Sequence, residues 1–183
     1  MNDILVLLVG SSGSGKTAIA EYLRDYHNFR ILPSYTTRPR RADSKDDHIY
    51  IEEKDVEFFF NTENVVAYNK YKGNHYFATE KQCDDSDVYV VDVEGLKQLR
   101  DQYNKKIILS FYVETSPDIR IQRMRLRGDT EKEIEERLNV DKKEFAEVEK
   151  ECDFTINNDY ALCIATQQIL AIMDKVRHEN DNA

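Results

Sequence analysis

An α/β fold, a parallel sheet flanked by helices, is predicted by three features of this 183-residue chain. The run Ile4-Leu5-Val6-Leu7-Leu8-Val9 has strand length and no polar face, as a central parallel strand covered on both sides requires. It enters a glycine loop, residues 10–15, and apolar Ile19, Tyr22, Leu23 and Tyr26 then recur at helical spacing, which predicts a helix over 16–26. Two further apolar strands, 88–91 and 107–113, enclose a helical stretch at 94–103. Strand, glycine loop and helix in that order open a P-loop NTPase unit.

The remaining elements follow in chain order. Ile31-Leu32 reads as a short second strand ending at Pro33-Ser34. Residues 35–79 then change character, rich in Tyr, charge and short β-like runs, and predict a small mixed α+β insertion. Within it, strands are expected at 48–51 and 65–68, a short helix at 53–60 with Val56, Phe59 and Phe60 inward, and a turn at Gly73-Asn74. Ser116-Pro117 is a helix start, and Thr130 with Glu133 forms a capping box ahead of a helix whose inner stripe is Ile134, Leu138, Phe145 and Val148. Phe154-Thr155-Ile156 is a last strand, and Leu162, Ala165, Ile169, Met173 and Val176 mark a C-terminal helix. The expected organisation is one domain with a core of 1–34, 80–116 and 150–183, the insertion at 35–79 and a helical lid region at 117–149.

Composition narrows the function classes. With 35 acidic against 26 basic residues the net charge is −9, which disfavours nucleic acid or an anionic membrane as a partner. Cys83, Cys152 and Cys163 are odd in number and lack metal or redox spacing, so a reducing, cytoplasmic setting is expected. The apolar opening is too short to span a membrane and leads into glycines instead of a cleavage site. A monomer or homodimer acting on a small molecule is the expectation.

Gly10-Ser11-Ser12-Gly13-Ser14-Gly15-Lys16-Thr17 satisfies G-x-x-x-x-G-K-[ST] at every fixed position, between a predicted strand and a predicted helix. Backbone N–H groups there converge on phosphate oxygens, the helix N-terminus adds positive potential, Lys16 reaches the β/γ-phosphates and the Thr17 hydroxyl ligates Mg²⁺. ATP and Mg²⁺ are therefore the expected cofactors. Asp92-Val93-Glu94-Gly95 also fits the D-x-x-G of switch GTPases, but Asn104-Lys105-Lys106-Ile107 lacks the Asp that would read guanine. Asp92 is read either as a carboxylate near Mg²⁺ or substrate, or as a strand-end cap.

Two arginine clusters stand out in this acidic chain. Thr36-Thr37-Arg38-Pro39-Arg40-Arg41 places three guanidinium groups after the second strand, where an acceptor phosphate would offset their repulsion; a solvated basic turn is the alternative. Arg120, Arg123 and Arg127 share one helical face while Arg125 points elsewhere, and Arg137 follows on the next helix. A lid bearing such arginines would stabilise a transferring phosphoryl group and exclude water; a plain salt-bridged helix is the competing reading.

In order and spacing, these segments resemble guanylate kinase, a family of P-loop nucleoside monophosphate kinases. The resemblance rests on the phosphate loop, on Ser34 with Thr36-Thr37-Arg38-Pro39-Arg40, on Gly73-Asn74-His75-Tyr76, on Arg127-Gly128 with Arg137-Leu138, and on Ile156-Asn157-Asn158-Asp159. It implies that Arg38, Arg40 or Arg41, and Tyr76 hold the acceptor phosphate, that Arg127 and Arg137 act on the transferring group, and that Arg123 and Asn157 lie near adenine. Ser34 would touch the acceptor base. The chain departs from the family pattern where the acceptor base is read: Ala67 falls at the position of a guanine-reading Glu, and His48 replaces a phosphate-binding Tyr. Glu94 could then read the base, or Glu63 or Asn69 with a shifted loop. The implied activity is ATP-dependent conversion of GMP or dGMP to the diphosphate. The alternatives are another phosphorylated acceptor, such as a different nucleotide or ribose 1,5-bisphosphate, and a non-catalytic binding module of the same fold.

Overall fold

The computed structural model describes residues 4–40, 48–145 and 147–181. Its main sheet has the order β6-β1-β7-β8, built from β1 (Ile4–Val9), β6 (Val88–Val90), β7 (Ile107–Glu114) and β8 (Phe154–Asn157), all parallel. Every residue of β1 is at most 1% exposed, so alternation sorts its side chains between two cores instead of between core and solvent. Ile4, Val6 and Leu8 pack with Ile19 and Leu23 of α1 (Lys16–His27) and Ile169 and Met173 of α8 (Leu162–Asp181). Leu5, Leu7 and Val9 pack on the other face with Leu96 and Leu99 of α4 (Val93–Gln102).

A second, mixed sheet forms the insertion, in the order β3-β2-β5-β4: β2 (Ser34–Thr36), β3 (His48–Tyr50), β4 (Val65–Tyr71) and β5 (Asn74–Thr79). Val66, Ala67 and Ala78 enter the second core, which fixes this sheet against α4. The β4–β5 hairpin turns at Lys72-Gly73, one residue earlier than expected, with φ of 48° and 83°, a pair of left-handed residues that Gly73 tolerates best.

Two expected elements are corrected. Ile31-Leu32 is no strand; Ile31 makes a single bridge to Val88, because Pro33 has no N–H to extend a ladder and the chain then leaves for the second sheet as β2. The helix expected at 53–60 is a 3₁₀ turn, Glu53–Asp55, followed by α2 (Val56–Thr62), none of whose residues is buried. Phe59 and Phe60 lie instead against the edges and faces of Tyr35, Tyr68 and Phe77, with ring centroids 4.4–5.6 Å apart.

The stretch expected to form a lid contains α5 (Pro117–Leu126), α6 (Glu131–Glu144) and the short α7 (Val148–Glu151). Thr130 and Glu133 form the capping box, each satisfying a backbone N–H of the other. Ile134 and Val148 are buried, the latter on a separate helix from the stripe that suggested it. Among the described residues, no helix is long and apolar enough to cross a membrane.

Candidate active site

The phosphate loop lies between β1 and α1 and is clamped from three sides. Gly15 adopts φ 96°, and a Cβ there would stand 2.3 Å from Asn158 Nδ2, so only glycine allows the loop to close on the chain behind it. That neighbour is itself a clamp: Asn158, 2% exposed, donates from Nδ2 to Ser14 O at 2.7 Å. Arg123 donates to Ser14 O (3.2 Å) and to Asn158 O (2.8 Å), so the α5 arginine braces the loop. Asn157, expected near adenine, accepts the Asp159 N–H at 3.0 Å, and Asp159 accepts the Ser116 N–H at 2.7 Å. Asn158 follows directly on β8 (Phe154–Asn157), and the end of that strand beside the loop sets its contact with Ser14.

From the lid side, Asp141 closes the loop. Its carboxylate accepts the Ser12 N–H (2.9 Å) and hydroxyl (3.2 Å), and pairs with Arg120, whose Nε donates to Ser12 O at 2.9 Å. The two side chains are 12% and 7% exposed, a nearly dry ion pair. Asp141 had no sequence signal: it is one of several acids on an otherwise charged helix, and only the fold of α6 over the loop selects it.

Lys16 Nζ donates to the carbonyls of Gly10 (2.5 Å) and Ser11 (3.1 Å). Burial pushes its pKa down from 10.5 to about 8; Asp141 pulls it up, while Arg120, Arg127 and Arg137 push it down. A cation held at such a potential is relieved by a polyanion, which is what phosphates supply. Thr17 is exposed at the first turn of α1. Its hydroxyl fits a hydrated Mg²⁺, which keeps several waters and needs only one or two protein oxygens beside the phosphates.

The lid arginines converge. Arg127 donates to Asp129 with both Nε (3.1 Å) and Nη2, and Arg137 Nε stands 3.5 Å from Asp129 Oδ2. Arg125 turns away to pair with Glu131, as its helical position requires.

On the opposite side, Arg38 donates from Nη2 to Tyr50 OH at 3.4 Å, and its Nε is buried with no protein partner among the described residues. Arg40 lies over the Tyr50 ring at 5.7 Å. Arg41 lies outside the described residues. Tyr50, for which the sequence carried no signal, is the ring that meets both arginines; alternation along β3 puts residues 48 and 50 on one face. His48 Nδ1 shares a 2.9 Å hydrogen bond with Ser34 Oγ, and its ring meets Tyr76 edge-on at 6.0 Å.

Two adjoining cavities, with Val90 common to both, are lined by several of the residues singled out. One, of about 280 Å³, brings together Lys16, Tyr76, Asp92 and Arg137. The other, of about 560 Å³, holds Thr17, Ser34 and His48 over an apolar floor. Asp92 is the cap that one of its readings expected: Oδ1 accepts the Gly95 N–H at the start of α4 at 2.7 Å, while Oδ2 accepts from Asn69 Nδ2 at 2.6 Å. Glu94 lies outside both cavities, exposed, accepting from Gln98 at 2.9 Å.

A family model described as an AAA domain matches residues 6–150 of this chain. The guanylate kinase of Nitrosomonas europaea is 30% identical over 185 residues, covering 94% of this chain and 90% of that protein. The chain belongs to the guanylate kinase family. Another guanylate kinase, from Enterococcus faecalis, is 27% identical and covers 93% and 87% of the two chains. The crystal structure of guanylate kinase from Anaplasma phagocytophilum shares the fold, with a TM-score of 0.65 over 94% of this chain and 85% of that one at 16% identity. Against the guanylate kinase pattern, Ala67 is 2% exposed, packed in the second core, and offers no side-chain polar group to a base.

Proposed function

We propose that this chain transfers the γ-phosphoryl group of ATP to the phosphate of a guanine nucleoside monophosphate, GMP or dGMP, giving the diphosphate. The observation that carries this reading is the shared cavity: Lys16 of the phosphate loop, Arg137 of the lid and Tyr76 of the mixed sheet line one space. Donor phosphates on the loop and an acceptor phosphate among Arg38, Tyr50 and Tyr76 would approach each other there.

The acceptor phosphate is already an anionic nucleophile, so no side-chain base is required, and the work is positioning and charge stabilisation. Arg38, whose buried Nε has no acceptor among the described residues, suits a phosphate oxygen. Asp129 holds Arg127 and Arg137 as a pair, and their charge would meet the transferring group as α6 covers the site. Thr17 would hold Mg²⁺, which when bound offsets charge on the donor phosphates.

Burial of Ala67 favours a second reading, in which the same machinery serves a different phosphorylated acceptor such as ribose 1,5-bisphosphate. A coupled ADP-release assay with ATP·Mg²⁺ against GMP, dGMP, AMP, UMP, CMP and ribose 1,5-bisphosphate separates them. Selective GMP or dGMP turnover supports the proposal; turnover of another acceptor alone refutes it. Lys16→Ala should abolish turnover with an unchanged circular dichroism spectrum, and full activity in that variant would overturn the kinase reading.

A further inference from the structure

We propose that Asn69 and Asp92 together read the acceptor base, presenting two hydrogen-bond acceptors that match the N1–H and N2–H₂ donors of guanine. The inference rests on the guanine-nucleotide reading above and names the residues that would supply its specificity. Asn69 lies on β4 two residues beyond Ala67, and it lines the cavity that also holds Lys16 and Arg137. Its Nδ2 donates to Asp92 Oδ2 at 2.6 Å. An ionised carboxylate can only accept, so the carboxamide must turn its NH₂ toward Asp92. That leaves Asn69 Oδ1, which takes no hydrogen bond from a described residue, as an acceptor beside the remaining lone pairs of Asp92.

Two neighbouring acceptors discriminate by edge chemistry. Guanine offers donors at N1 and N2; hypoxanthine offers the N1 donor alone; adenine turns the N1 lone pair toward an oxygen and is repelled. Commitment of the Asn69 NH₂ to Asp92 therefore converts an ambivalent amide into a guanine-selective one. Ala67, buried against α4, contributes nothing to this edge.

The test compares the full-length wild type with Asn69→Ala and Asp92→Asn, the latter keeping an oxygen for the Gly95 N–H that caps α4. ADP release and calorimetric binding would be measured with GMP, IMP and AMP. Each lost base contact is expected to cost about 10- to 100-fold in discrimination. The wild type should prefer GMP over IMP and AMP, and both variants should raise the KM for GMP by about that factor while leaving the KM for ATP unchanged. A GMP-over-AMP preference equal in all three proteins would overturn the inference and move base recognition to the cavity that holds Ser34. So would a wild type that prefers a base other than guanine. Selective GMP binding that is lost in Asn69→Ala, without phosphoryl transfer in any protein, would uphold the inference and refute the kinase reading.

Discussion

Replacing Asp141 by alanine removes the carboxylate that collects the Ser12 N–H, the Ser12 hydroxyl and Arg120 at 7% side-chain exposure. Removing one partner of a buried ion pair costs about 3–5 kcal/mol, because the other charge stays behind uncompensated. Arg120 retains its hydrogen bond to Ser12 O at 2.9 Å, which places the expected loss at the lower end, about 3 kcal/mol. For a chain of this size that is a fall in Tm of about 6–12 °C. A second effect acts through Lys16, whose pKa of about 8 is raised by Asp141 and lowered by three arginines. Phosphate binding favours the ammonium, so above about pH 8 the free protein must take up a proton to bind ATP, and affinity falls by up to about tenfold per pH unit. Without Asp141 that decline begins at lower pH. Thermal unfolding without nucleotide, and calorimetric ATP titration from pH 6 to 9, read the two effects separately. A Tm within about 2 °C of wild type, together with an unshifted pH profile, would refute the reasoning that Asp141 both clamps the loop and sets the Lys16 potential.

Three further outcomes are expected. Arg137→Ala should lower kcat by about 10³-fold or more with little change in the KM for ATP, since a transition-state arginine acts on developing charge; a loss confined to KM would assign it to ground-state binding. Gly15→Ala should abolish ATP binding by calorimetry, because the φ of 96° and the 2.3 Å approach to Asn158 Nδ2 leave no room for a Cβ, and retained affinity would count against the loop geometry. For Lys16 itself, the folded-state pKa of about 8 lies below its ordinary 10.5, so the unfolded chain binds more protons between those values. This group therefore makes stability rise with pH across about 8 to 10.5, and Lys16→Met should flatten that part of a denaturation profile.

Much of the site was legible because its signals are local. The phosphate loop needs glycines and a lysine at fixed spacing between a strand and a helix, and β1 and α1 form where the apolar periodicity puts them. Helical spacing likewise separated Arg123, which braces the loop, from Arg125, which pairs outward with Glu131. Other assignments depended on contacts between segments far apart in sequence. Asp141 meets Ser12 across 129 residues and Asn158 meets Ser14 across 144; no pattern along the chain marks Asp141, and the motif that contains Asn158 does not say that it holds the loop. The contact of Tyr50 with Arg38 likewise depends on the pairing of β3 with β2.

By itself, then, the sequence determined that an α/β unit with a phosphate loop exists here and that arginines concentrate in two segments, because loop geometry, helix periodicity and charge type are written in residues a few positions apart. The tertiary structure alone decided which acid closes the loop, which asparagine holds it and that the residue at position 67 is sealed in the core. Those outcomes follow from how sheet and helices pack, which sets the distances between side chains that the chain order keeps far apart.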